Sequence, residues 1–171
     1  MTKLQNNRQK SRKSKASELF ERGYNEWKRK NLRPALRLFL AAAQAGDKGA
    51  QVNVGYFYDK GIGIRRNRSK ALYWYKRAYR RGDSGAANNI ATIWRDEQKM
   101  NRALSWFQKA VNLGNDGSNL EIAKYYLRGQ HDTSRAIGYL NKVCRSNRVA
   151  EVELEEANRL LKEARRKLKQ M

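Results

Sequence analysis

Residues 35–51 read ALRLFLAAAQAGDKGAQ, residues 71–87 read ALYWYKRAYRRGDSGAA, and residues 103–119 read ALSWFQKAVNLGNDGSN. Laid over one another, the three stretches share an opening Ala-Leu. An aromatic follows at Phe39, Tyr75 and Phe107, then alanine at 42, 78 and 110, then glycine at 46, 82 and 114. A weaker fourth copy, AIGYLNKVCRSN, opens at Ala136, so successive starts lie 36, 32 and 33 residues apart. Apolar residues recur three and four apart within each stretch, which is the period of an amphipathic helix, and the Ala-Gly-Asp, Arg-Gly-Asp and Leu-Gly-Asn endings have helix C-cap chemistry. No segment alternates with the period of two that a half-buried strand needs. The sequence predicts an all-α chain built from repeated helix hairpins.

A second set of helices precedes these, marked by a small residue at Gly23, Gly55, Ala91 and Ala123, which falls 12, 16, 12 and 13 residues before the next repeat start. Small side chains there, flanked by aromatics such as Tyr56, Trp94 and Tyr126, let neighbouring helices approach closely. Outward from the repeats, residues 1–15 carry six Lys and Arg and no acid, and are expected to form a disordered basic tail. Residues 16–34 read as an N-terminal helix or cap, with Phe20, Tyr24 and Trp27 on one stripe. The repeats themselves span 35–148. Residues 149–171 read as an amphipathic capping helix, with Leu154, Ala157, Leu161, Ala164 and Leu168 on one side and acid preceding base along its length, the order a helix dipole favours.

Composition excludes several kinds of chemistry. The single Cys144 has no partner for an internal disulfide, and the one histidine, His131, has no second His or nearby Cys with which to hold a metal. Cys144 is expected as a buried inert thiol and His131 as a surface loop residue. Gly61-Ile62-Gly63 follows a helix and lacks the third glycine of a dinucleotide loop, and the neighbours Glu155 and Glu156 splay apart on a helix. No catalytic, metal or cofactor site is expected, and the chain reads as a non-enzyme. The first thirty residues contain no apolar run longer than Leu19-Phe20, and no eighteen-residue apolar stretch exists, so the expectation is a cytoplasmic protein, monomeric by default.

The charge points to partners. Lys and Arg number 38 against 16 Asp and Glu, a formal net charge of +22. Arg65, Arg66, Arg68 and Lys70 crowd one loop, while Lys76, Arg77, Arg80 and Arg81 share one helix face, and the two groups are expected to join in a continuous patch. Lys109, Lys142 and Arg145 occupy equivalent repeat positions and extend this basic face. A field of that sign attracts acidic protein, nucleic-acid phosphate or anionic membrane. No helix-turn-helix, RNA-recognition or zinc motif is present.

The segment AQVNVGYFYDKGIGIRRNRSKALYWYKRAYRRGDSGAANN, residues 50–89, has a small-rich helix, a Tyr-x-x-Gly-x-Gly loop at Tyr58, Gly61 and Gly63, and an Ala-Leu-x-Trp-Tyr-x-x-Ala helix. It resembles the Sel-one-like repeat (SLR) branch of the tetratricopeptide-like proteins, a resemblance that spans about Ala35 to Cys144. Repeats two and three lack the Gly-x-Gly loop. The resemblance implies a right-handed α-α superhelix that binds other proteins in a groove lined by the small-residue helices. By register it implies Val52, Tyr56 and Asp59 from the first repeat, Asn88, Thr92 and Arg95 from the second, and Leu120, Lys124 and Leu127 from the third. The expected function is a noncatalytic scaffold or adaptor that captures an acidic protein or peptide. The alternative is an accessory protein bound to RNA or DNA phosphates.

Overall fold

A computed structural model describes residues 3–128 and 132–170, with side chains from Lys15 onward. Among the described residues there are nine helices and no strand: α1 (Lys3–Lys28), α2 (Leu32–Gln44), α3 (Lys48–Lys60), α4 (Arg68–Tyr79), α5 (Ser84–Asp96), α6 (Met100–Asn112), α7 (Ser118–Arg128), α8 (Thr133–Cys144) and α9 (Glu151–Leu168). They fall into two compact units, Met1–Asp83 with α1–α4 and Ser84–Met171 with α5–α9.

Local sequence explains where the helices stop and start. Gly46, Gly82 and Gly114 adopt φ of 99°, 79° and 90°, a left-handed turn that glycine enters without a Cβ clash. After each of them the next amide donates back to the carbonyl of the aligned alanine, Asp47 to Ala42 (2.9 Å), Asp83 to Ala78 (3.2 Å) and Asn115 to Ala110 (2.9 Å). This is the Schellman ending the sequence predicts. Asp47 then opens α3 by accepting from the Ala50 amide at 2.6 Å, and Asn115 does the same for Ser118 at 3.1 Å.

In the first unit the core is Ala35, Leu36, Phe39, Ala42, Ala43, Ala50, Val54, Phe57 and Trp74, all buried. The role of the small-residue column is visible here. A Cβ placed on Gly55 would lie 2.6 Å from the ring of the fully buried Tyr75, and one on Gly23 would lie 2.9 Å from the ring of Phe39. Helix backbone and aromatic ring are in direct contact, which is why the pairing of glycine with a following aromatic recurs. In the second unit Ala91 clusters with Phe107 and Ala123 with Leu140, so a methyl takes up the same contact. α9 covers the end of this unit through Ala157, Leu161 and Ala164. Its first turn is closed by Glu153, whose carboxylate accepts from the Ala150 amide at 3.0 Å.

A shift of 68 residues lays α1–α3 over α5–α7. The turns obey it closely: Lys30 and Gln98, the two non-glycine residues with positive φ among the described residues (63° and 60°), are 68 apart, as are Gly46 and Gly114.

Two expectations are corrected. Helix α1 already begins at Lys3, inside the stretch read as a disordered tail. No Gly or Pro interrupts 3–22, and adding residues to an established helix costs far less than nucleating one. Ala16, at 3% exposure, is the first buried side chain described, so packing against the rest of the unit starts there. Cys144 is half-buried instead of buried, with its thiol donating to Asn158 Oδ1 at 3.3 Å. Arg65, Arg66 and Arg68 lie at the start of α4 and Arg77, Arg80 and Arg81 toward its end, with the exposed Lys70 and Lys76 on the helix between them. His131 lies outside the described residues.

Candidate functional site

Two kinds of surface emerge from the residues singled out in the sequence, and they differ in how their charges are held. On the first unit, Tyr73, Arg77, Arg80 and Arg81 of the end of α4 face Gly46 and Gln51 across an open cleft of about 550 Å³. The Arg77 guanidinium donates to the Tyr73 hydroxyl at 3.1 Å and lies over the rings of Tyr73 and Trp74, 5.8 and 5.3 Å from their centroids. Arg81 donates to the carbonyl oxygen of Gly46. These holders are neutral, and no Asp or Glu is among the described residues that line the cleft. The Arg77 and Arg81 guanidiniums are therefore oriented without being neutralised. Arg65 is exposed, Arg68 and Arg66 flank the start of α4, and Lys76 is exposed along it. Arg66 is engaged: its Nε donates to the Asp59 carbonyl at 2.6 Å and Nη2 reaches the Asp59 carboxylate at 3.4 Å. On the second unit, Lys109 and Lys142 stand over Trp106 and Tyr139 at 4.1 and 4.9 Å, and Arg145 is exposed.

The expected groove residues divide. In the first unit Val52 is half-buried and Tyr56 is 37% exposed with its ring 6.3 Å from that of Trp27. Asp59 does not face a groove. It is 4% exposed, held by Arg66 and by Lys60 at 3.1 Å. In the second unit Asn88, Thr92 and Arg95, at i, i+4 and i+7 on α5, line one polar cleft of about 350 Å³ together with Asn115, Asp116, Glu121, Arg148 and Glu153. Leu120 is instead a core residue at 2% exposure and Leu127 packs against that core, because the α7 side chains that face outward are one residue further on. One residue on a helix is a 100° turn.

That outward residue is Glu121, which motif reading missed. Its carboxylate accepts from Arg95 at 2.5 Å and from Lys124 at 3.1 Å, and Lys124 reaches on to Glu156 at 2.8 Å. The result is an alternating chain of two cations and two anions across α5, α7 and α9. Burial opposes charge on Glu121, yet hydrogen bonds and charge from Lys124 and then Arg95 prevail and hold its carboxyl below the ordinary range. Burial likewise opposes charge on Lys124, and Glu156 and Glu121 outweigh it, raising its pKa. Asp116 is similarly used by Arg148 at 2.8 Å and Ser146 at 2.7 Å. Unlike the α4 cleft, the second unit spends its groove cations on its own carboxylates. Beside this chain a second cleft of about 380 Å³ opens over Met100, Ala103, Leu104, Phe107 and Tyr125, rimmed by Arg95, Glu121, Lys124 and Arg128. Only the internal 68-residue correspondence signals it in the sequence.

Comparison with known proteins follows the same hairpins. The Sel1 repeat is matched over residues 15–47, 49–83, 95–115 and 118–147. The chain belongs to the Sel1 repeat family. The first, second and fourth matches each cover a small-residue helix and the helix that follows it, so α1 enters as the first half of a repeat, whereas the third takes in only the end of α5 together with α6. Chitin synthase regulator SKT5 of Saccharomyces cerevisiae is 34% identical over 94 residues, which is 51% of this chain and 12% of the yeast protein. The chain thus spans about an eighth of that relative. A Sel1 repeat protein from Oxalobacter formigenes superposes with a TM-score of 0.71 at 24% identity, covering 88% of this chain and 62% of that one. The c5321 antigen of uropathogenic Escherichia coli, an SLR fold, gives 0.68 at 18% identity over 89% of this chain and 38% of that one. These likenesses establish the all-α superhelical repeat fold. Proteins of Sel1 repeats generally mediate protein–protein interaction, and the fold is typically a non-enzymatic scaffold. No described helix is long and apolar enough to cross a membrane, and the described residues contain no cluster of three or more His, Cys, Asp or Glu able to hold a metal ion.

Proposed function

We propose that this Sel1 repeat protein is a non-enzymatic cytoplasmic adaptor that captures an acidic protein segment on the basic face of its first unit. The observation that carries the reading is the manner in which the α4 cleft holds its charges. Arg77 and Arg81 are fixed by ring faces, a phenol oxygen and a backbone carbonyl, so their net charge is still available to an incoming carboxylate. Charge-assisted guanidinium–carboxylate bonds are among the stronger polar contacts, and a prearranged guanidinium loses less freedom in forming them. Distribution of charge agrees: residues 1–83 hold 22 Lys and Arg against 6 Asp and Glu, whereas residues 84–171 hold 16 against 10. A cytoplasmic setting fits a chain whose one cysteine is a free thiol.

One feature favours the nucleic-acid alternative. Tyr73, 54% exposed, stands in the same cleft as the arginines and offers a ring to a base. Fluorescence anisotropy of a labelled glutamate dodecapeptide and a labelled uridine dodecamer, at 50 and 200 mM salt, separates the two. The peptide is expected to bind, and Arg77→Glu, Arg80→Glu and Arg81→Glu together are expected to weaken it at least about tenfold with helicity unchanged. Equal binding by the triple variant refutes the basic-face reading. A tighter RNA complex that collapses between the two salt concentrations replaces it with the alternative.

A further inference from the structure

The cleft over α6 in the second unit has a counterpart in the first unit that is already full. Under the 68-residue shift Met100, Ala103, Leu104 and Phe107 fall on Leu32, Ala35, Leu36 and Phe39, Tyr125 falls on Phe57, and Arg95 falls on Trp27. In the first unit the Trp27 indole packs edge-on against Phe39 and Phe57, with centroids 6.2 and 5.6 Å away, and completes the core there. In the second unit the residue at that place is Arg95, whose guanidinium is held by Glu121, and about 380 Å³ stays open. Met100 at its edge is 37% exposed.

We propose that this cleft is a docking site for an aromatic side chain, Trp or Phe, carried on a linear acidic segment of a partner protein. The internal repeat shows the shape of the group that completes this arrangement of helices. Phe107 and Tyr125 present rings to it, and aromatic pairs prefer the tilted and edge-on contacts that Trp27 makes in the first unit. The volume lies within the range of about 300–1,000 Å³ typical of ligand clefts. Charge selects what flanks the anchor. Around the lining Arg95 and Lys124 are already held by Glu121 and Glu156, and the exposed Arg128 leaves the rim with one positive charge in excess, which carboxylates beside the aromatic meet. An aromatic seated here also shields the Arg95–Glu121 pair from water, which strengthens it.

The site rests on the reading of this chain as a protein-binding scaffold but not on the basic face of the first unit. Calorimetric titration of the full chain with the peptides Ac-EEWEE-NH2 and Ac-EEAEE-NH2 tests it. The tryptophan peptide is expected to bind at least about tenfold more tightly. Arg95→Trp, which fills the cleft from within, and Met100→Glu, at an exposed edge, should each bring the ratio near one. A wild-type ratio near one, or a ratio that survives both variants, overturns the proposal. So does sedimentation showing a wild-type dimer that either variant dissolves, because the occupant is then a second copy. The α4 triple variant keeps the two readings apart: it should weaken both peptides and leave the ratio intact, and if it weakens neither while the ratio holds, the basic face fails and this site stands.

Discussion

Replacing Gly55 with alanine should destabilise the first unit, although alanine is the better helix former. The new Cβ would sit 2.6 Å from both Cδ1 and Cε1 of Tyr75 and 3.1 Å from Cγ, well inside contact distance. Tyr75 is fully buried, so the ring has no free space into which to retreat and must push on the packing around it. Overpacking of this kind costs about 1–3 kcal/mol, and a gap that has to open by roughly 1 Å belongs in the upper half of that range. Alanine returns about 1 kcal/mol of helix propensity. The expected net loss is about 1–2 kcal/mol. Gly138 is the internal control: it lies within α8, and a Cβ there meets nothing within 4 Å. Gly138→Ala should therefore stabilise by about 0.5–1 kcal/mol. Urea unfolding followed by circular dichroism reads both, with midpoints moving in opposite directions, by roughly 0.5–1 M for Gly55→Ala at an ordinary m-value. If Gly55→Ala raises the midpoint as Gly138→Ala does, the backbone-to-ring contact does not hold the hairpin and the account of the small-residue column fails.

Three further outcomes follow from single contacts. A carboxyl whose pKa falls on folding adds stability that is present above its unfolded value and is lost as pH drops through the folded one. Wild-type stability should thus fall more steeply than that of Glu121→Gln below about pH 4.5, in denaturant titrations at stepped pH, with the variant less stable at pH 7. The Tyr75 hydroxyl is buried without a hydrogen-bond partner, and burial, followed by the charge of Asp59 and then Tyr56, raises its pKa. Tyr75→Phe should leave the melting temperature unchanged or higher, and a clear drop would reveal a partner for that oxygen. Asp47→Ala removes the acceptor for the Ala50 amide and should cost about 1 kcal/mol, against which Asp47→Asn, able to accept the same bond, should cost little.

How far the sequence can be read depends on the range of the forces involved. Helix endings at Gly46, Gly82 and Gly114 were legible because a left-handed turn is a property of a few adjacent residues. The pairing of Gly55 with Tyr75 was legible as a recurrence, although its meaning as a backbone-to-ring contact needed the packed hairpin. That Asn88, Thr92 and Arg95 share one side of α5 was legible from register, and they line one cleft. On α7 the same count picked Leu120 where Glu121 faces outward, since a local rotation of 100° is set by which side chains the neighbouring helices can bury. Asp59 was misread for a similar reason, as its exposure is decided by Arg66 folding back from the following loop.

The sequence by itself determined the class of molecule. Periodicity, caps and self-similarity are local or repetitive, and they establish an all-α Sel1 repeat chain with a large positive excess. Which of those charges can meet a partner was decided only by tertiary structure. Net charge counts residues, whereas availability depends on what each one touches: Arg77 and Arg81 are held by neutral groups, and Arg95, Lys124 and Arg148 are held by the carboxylates of Glu121, Glu156 and Asp116. The open space at Arg95 has the same origin. A substitution of Trp27 by arginine in the later copy is visible in the aligned repeats, but the cleft it leaves exists only once three helices pack around it.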